Sequence, residues 1–100
     1  MSDVRLSHSA ALILKALSLG YCFGSDVMEI TGLPSGTVYP ALRRLERDEL
    51  VESKWEPEDE ATANQRPARR YYKVTRQGKA AALAATERYP LLASLAGSKR

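Results

Sequence analysis

The spacing of apolar positions changes several times along this chain, and each change marks an element. From Ala10 to Leu19 only Lys15 and Ser18 are polar, which predicts a helix central to a core, with Ser7 or Ser9 as its N-cap and Gly20 at its end. Gly24-Ser25-Asp26 starts a second, shorter helix that carries Val27, Met28 and Ile30 up to Gly32, a residue suited to the position after a helix. Leu33-Pro34-Ser35-Gly36 reads as a tight turn, and a third helix is predicted from Thr37 to about Asp48. At about 100° per residue, Val38, Ala41, Leu42 and Leu45 share one arc of that helix, while Tyr39, Pro40, Arg43, Arg44 and Arg47 occupy the remainder. Its outer face is therefore basic. Pro40 lies near its beginning, where few amides have an intrahelical partner to lose, so it limits the helix without forbidding it.

The period then shortens to two. Leu50 to Glu56 alternates with Val51, Ser53 and Trp55 on one side, and Tyr71-Tyr72-Lys73-Val74 is rich in β-formers. These are the expected strands of a hairpin. About a dozen polar residues separate them, Pro57 to Arg69, read as a long mobile tip in which Glu58-Asp59-Glu60 is a solvated face. Thr75 can cap a last helix through Ala80 and Leu83 to Arg88, with a break expected at Tyr89-Pro90 and an apolar continuation at Leu91, Leu92 and Leu95. The order helix, helix, helix, strand, strand, helix is that of a winged helix-turn-helix, mostly α with a small β-hairpin. Residues 1–75 are expected to form that domain, and 76–100 a C-terminal dimerisation helix belonging to the same unit.

Composition narrows the chemistry. With 100 residues, 44% of them apolar, the chain is ordinary globular material, and a domain this small gains from oligomerisation. A single cysteine, Cys22, and a single histidine, His8, exclude a disulfide or zinc framework, and no cofactor is expected. No paired carboxylates, nucleophile–base pair or Gly-rich phosphate loop points to an enzyme. The apolar run Ala10 to Leu14 is far short of a membrane span, so a cytoplasmic protein with no membrane partner is expected. Charge is unevenly placed. Residues 1–56 carry six basic and eight acidic side chains, whereas residues 57–100 carry nine and four. Arg66, Arg69, Arg70, Lys73, Arg76 and Lys79 form a run without one acid, a plausible footprint for phosphates.

Two stretches carry a family resemblance. Leu33-Pro34-Ser35-Gly36-Thr37-Val38-Tyr39-Pro40-Ala41-Leu42-Arg43-Arg44-Leu45-Glu46 resembles the PadR hallmark around the recognition helix, and Pro67-Ala68-Arg69-Arg70-Tyr71-Tyr72-Lys73-Val74-Thr75-Arg76-Gln77-Gly78 is similar to the family's second signature. The resemblance covers roughly residues 10–80. It implies a bacterial DNA-binding transcriptional regulator, usually a homodimeric repressor held by its last helix. By position it places Ser35, Thr37, Tyr39, Pro40, Arg43 and Arg44 on the recognition element and Arg66, Arg69 and Arg70 on the wing, and Arg47 joins them on the basic face. Arginines suit bidentate contacts to guanine, and amides at a helix N-terminus suit phosphate. Glu49 stands where the family usually has Gly before the first strand, so a different turn conformation is expected there. The last helix, Ala80 to Arg88, has no Trp, so drug sensing of the kind some short members perform is not carried over.

The partners expected are double-stranded DNA and a second copy of the chain, with Leu83, Leu91, Leu92 and Leu95 at the dimer interface. Trp55 is expected to pack against the last helix or the partner copy rather than stack on a base. Tyr39 is read either as a base-reading residue or as one wedged between helix and wing. The competing function is a winged helix that binds an acidic protein instead of DNA.

Overall fold

The computed structural model describes residues 6–65 and 67–89. Along them run α1 (His8–Ser18), α2 (Gly24–Thr31), α3 (Ser35–Arg47), β1 (Val51–Trp55), α4 (Glu58–Ala63), β2 (Arg70–Val74) and α5 (Arg76–Arg88). This is a winged helix-turn-helix, with α4 as an addition between the strands. Arg66, Leu91, Leu92 and Leu95, all assigned roles from the sequence, lie outside the described residues.

The apolar run of α1 does what its pattern implies. Ser7 caps it by accepting the Ala10 amide at 3.1 Å, and Ala10, Ala11, Ile13, Leu14, Ala16 and Leu17 are buried. Around α1 pack α2, α3, β2 and α5 of the same chain. Ile13 and Leu14 meet Val27, Val38, Leu42 and Val51 in a core whose largest side chains are fully buried. The apolar faces of α1 are thus covered from within the chain.

α3 begins two residues earlier than its pattern predicts. Pro34 is its N-cap, and the amides of Thr37 and Val38 both reach the Pro34 carbonyl, at 2.9 and 3.0 Å. Ser35 and Gly36 suit a turn and a first helical turn equally well, so composition alone does not separate the two. Pro40 consequently sits in the second turn, where its missing N–H removes a ladder bond to the exposed Gly36.

Glu49 keeps the left-handed conformation, contrary to the expectation of a different turn. Its φ is 64°, and the Glu49 and Leu50 amides close back on the Glu46 and Leu45 carbonyls at 3.0 and 2.9 Å. That is a Schellman ending, with buried Leu45 and Leu50 supplying its apolar contact. The non-glycine residue bears the steric cost of that conformation, about 1–2 kcal/mol.

Segment 57–69 also departs from expectation. Residues 58–63 form a short helix, not a structureless tip, and Ala61 is buried. The Glu58-Asp59-Glu60 run lies in its first turn, where carboxylates oppose the helix dipole favourably. At six residues the helix is too short for propensity alone to hold it.

The hairpin pairs Val51 with Val74, Ser53 with Tyr72 and Trp55 with Arg70. β2 has a neighbour on its other side too. The Tyr72 amide donates to the Cys22 carbonyl at 2.8 Å, and Phe23 forms an isolated bridge with Tyr71. Where β2 turns into α5, Thr75 ties the two corners together. Its amide donates to the Leu50 carbonyl at 3.0 Å and its hydroxyl to the Glu49 carbonyl at 2.7 Å, while its Oγ1 caps α5 by accepting the Gly78 amide at 3.0 Å. Gly78 lies so close to this corner that a Cβ would fall 2.0 Å from the Leu50 carbonyl oxygen.

Two substitutions test these contacts in opposite directions. Gly78→Ala is expected to destabilise the fold by about 2 kcal/mol or more, because its methyl meets backbone that cannot turn aside. Glu49→Gly is expected to stabilise it by about 0.5–1 kcal/mol, the left-handed penalty less the added chain entropy of glycine. Urea unfolding of both variants against the parent checks the two signs.

Candidate nucleic-acid interface

α3 is amphipathic in the strict sense, since the side chains that do not enter the core form one continuous outer face. Val38, Ala41, Leu42 and Leu45 are buried, and the opposite arc carries Gly36, Tyr39, Pro40, Arg43 and Arg47. Arg44 is exposed beside this arc, and Ser35 and Thr37 stand at the helix start. Arg43 and Arg44 make no hydrogen bond or ion pair among the described residues. Arg47 approaches only its neighbour Asp48, at 3.6 Å and largely in solvent, a pairing of little strength. The charge on this face is available to an anionic partner.

Tyr39 packs as well as being exposed. A Cβ on Gly24 would stand 2.5 Å from the Tyr39 ring, so the ring lies directly on the first turn of α2, with 40% of the residue still accessible. Gly24 is what allows the approach. Tyr72 of β2 feels the charge of this face: its phenol is pushed above its ordinary value by burial; Arg70 pulls it down, Glu46 and Tyr39 push it further up, and Arg43 pulls it down. It therefore remains protonated, and neutral, at any physiological pH.

The wing arginines are held from inside the chain. Arg70 donates from Nε to Ser53 Oγ at 2.9 Å and pairs through Nη2 with Glu46 at 3.4 Å, while Ser53 Oγ donates to the other Glu46 oxygen at 2.7 Å. This three-member network ties both strands to α3. Arg69 places its guanidinium 3.8 Å from the centroid of the Phe23 ring and faces Glu56 at 4.0 Å. Glu56 also accepts the Arg69 amide at 3.3 Å, and its own amide donates to the Arg69 carbonyl at 2.8 Å. Sequence reasoning put these arginines on the wing without these partners, because carboxylates 13 and 24 residues distant are invisible to a local pattern.

Trp55 is 64% exposed, with the Arg70 guanidinium 5.8 Å from its ring; of the two packings expected for it, the one against α5 of the same chain is not formed. Leu83 is 66% exposed on the outer side of α5, with Ala80 and Ala84 exposed beside it. Among the described residues there is no group of three or more His, Cys, Asp or Glu side chains placed to hold a metal ion, and no helix is long and apolar enough to cross a membrane.

The sequence profile of the Transcriptional regulator PadR-like family matches residues 13–85. The chain belongs to that family. A PadR family transcription regulator from hypervirulent Clostridium difficile R20291 shares the fold with a TM-score of 0.72 and 23% identity, over 89% of this chain and 94% of that one. Lactococcus lactis ZitR, a zinc-responsive MarR family member, matches with a TM-score of 0.71 and 20% identity, over 93% of this chain and 60% of its own. ZitR in complex with DNA matches with a TM-score of 0.65 and 24% identity over the same shares. At such identities these likenesses establish the winged-helix fold alone. No curated protein matches the chain. As a PadR-like protein it is a DNA-binding transcriptional regulator, from a family that is not enzymatic.

In this PadR-like chain the Glu46–Ser53–Arg70 network should register as coupled. A double-mutant cycle with Glu46→Ala and Arg70→Ala, read by urea unfolding, is expected to give a coupling energy of about 0.5–1 kcal/mol, the range for a partly exposed pair. Strict additivity would show that the contact does not hold the wing.

Proposed function

We propose that the protein is a homodimeric repressor that reads an imperfectly palindromic operator by inserting the outer arc of α3 into the major groove. The observation that carries this reading is the acid-free arc of exposed Tyr39, Arg43 and Arg47 and half-buried Pro40, flanked by Arg44, on a helix whose opposite side is buried. Arg43 reads a base, Ser35 and Thr37 meet phosphate at the helix start, and Tyr39, seated on Gly24, contributes its exposed edge. Arg69 and Arg70 approach the backbone from the wing, and Arg66 joins them on the strength of its place in the sequence. Because Arg69 and Arg70 are already partnered by carboxylates, α3 supplies most of the unpaired charge.

Dimerisation follows from α5. Leu83, with small residues at Ala80 and Ala84 permitting close approach, forms an apolar surface that two copies can share about a two-fold axis, and Leu91, Leu92 and Leu95 are assigned to the interface on the strength of the sequence alone. Such a pair sets its recognition helices about 34 Å apart, one turn of B-DNA, which is why the operator should be palindromic.

Selection of bound duplexes from a random pool tests the reading as a whole, since it reports binding, half-site symmetry and spacing together. Failure to retain any duplex at low salt would favour a protein-binding winged helix. Arg43→Ala is expected to lose about 1–3 kcal/mol of specific binding and to relax preference at one base position. Leu83→Glu is expected to shift the sedimentation mass from dimer to monomer without unfolding the chain. A parent protein that is itself monomeric at micromolar concentration would end the dimer proposal.

A further inference from the structure

Trp55 is a large apolar side chain that the fold leaves open to solvent at the end of β1, and nothing in the wing requires it there for packing. Its direction is set by register. Val51, Ser53 and Trp55 share one face of β1, and Ser53 on that face reaches Glu46 of α3, so the indole stands on the side of the hairpin that looks toward the recognition helix. Across the hairpin, Trp55 is opposite Arg70, whose guanidinium lies within cation–π range of the ring and is itself bonded to Ser53 and Glu46. Glu46 and Arg43 lie three residues apart on α3, so they are neighbours on its surface. Arg43, Glu46, Arg70 and Trp55 therefore follow one another as a continuous strip from the centre of the basic arc to the wing.

We propose that Trp55 is a DNA-contacting residue whose exposed indole face packs on a deoxyribose of the strand flanking the groove that α3 enters. This rests on the regulator reading of α3. DNA is the occupant that the surroundings favour. The ring continues the proposed interface, and the Arg70 guanidinium within cation–π range of it suits an adjoining phosphate. The Arg70–Glu46 pairing matters here as well. With that guanidinium shared with a carboxylate, the wing's grip on the backbone falls more to apolar contact than to ion pairing.

Trp55 is the sole tryptophan of the chain, so its emission reports this position alone. Acrylamide quenching is measured on the full chain with and without saturating duplex, using both a selected operator and a random-sequence duplex, while anisotropy of a dye on the DNA follows binding separately. Expected results are a fall in quencher access on both duplexes and, for Trp55→Ala, about a tenfold loss of affinity on both. The slope of affinity against salt should not change, because a neutral side chain releases no counterion. Trp55→Phe should recover most of the loss, and an unchanged melting temperature for each variant would exclude a folding effect. Unchanged quenching while anisotropy reports bound DNA would overturn the proposal and leave the regulator reading intact. So would a loss confined to the selected operator, which would make the contact one with a base, or protection that grows with protein concentration without DNA, which would assign the indole to a partner copy. Absence of any duplex binding would remove both readings together.

Discussion

Two backbone corners meet at one place, and the arrangement of the recognition helix, wing and last helix depends on that meeting. The end of α3 turns into β1 at Glu49 and Leu50, and the end of β2 turns into α5 at Thr75 to Gly78. Thr75 holds both carbonyls of the first corner and caps the helix of the second. Gly78 makes the approach possible, since any side chain there would strike the Leu50 carbonyl. An N-cap threonine ordinarily contributes about 1 kcal/mol to its helix. Here the same hydroxyl also sets the angle at which the hairpin leaves α3 and at which α5 returns to α1.

From that corner outward the wing is steered by polar contacts. Glu46, Ser53 and Arg70 bridge α3 to both strands, and Arg69 is seated between Phe23 and Glu56. Each of these pairs is partly in water and individually weak, and their number gives the wing its orientation. The arrangement also sorts the arginines by task. Those on the wing are paired within the chain, whereas among the described residues Arg43 and Arg44 have no such partner and Arg47 has a weak one in Asp48. Counting basic residues along the chain does not reveal this division.

Much of the architecture was legible before any coordinates. The positions of four of the five helices to within about two residues, a cap at Thr75 and one at Ser7 or Ser9, the helix end at Gly32, the two strands and the buried arc of α3 follow from rules that act within about four residues. The family hallmark was legible for a related reason. Its residues lie in one short run from Leu33 along α3, so they leave a compact signature in the sequence.

What only the tertiary structure decided lies at longer range. Residue identity at 49 suggested a changed turn, yet the bonds to Glu46 and Leu45 and the grip of Thr75 hold Glu49 at positive φ despite its side chain. The polar stretch after Trp55 became a short helix, with Ala61 buried and acids at its start. Arg69 and Arg70 gained carboxylate partners, and Tyr39 found its seat on Gly24, because the fold brings together residues separated by 13 to 24 positions in the chain. Local sequence determined which elements form, since helix and strand propensities, caps and amphipathic periods are short-range free energies. Which charges remain available on the finished surface was decided by the tertiary structure, because pairing and burial depend on distances that no local pattern encodes.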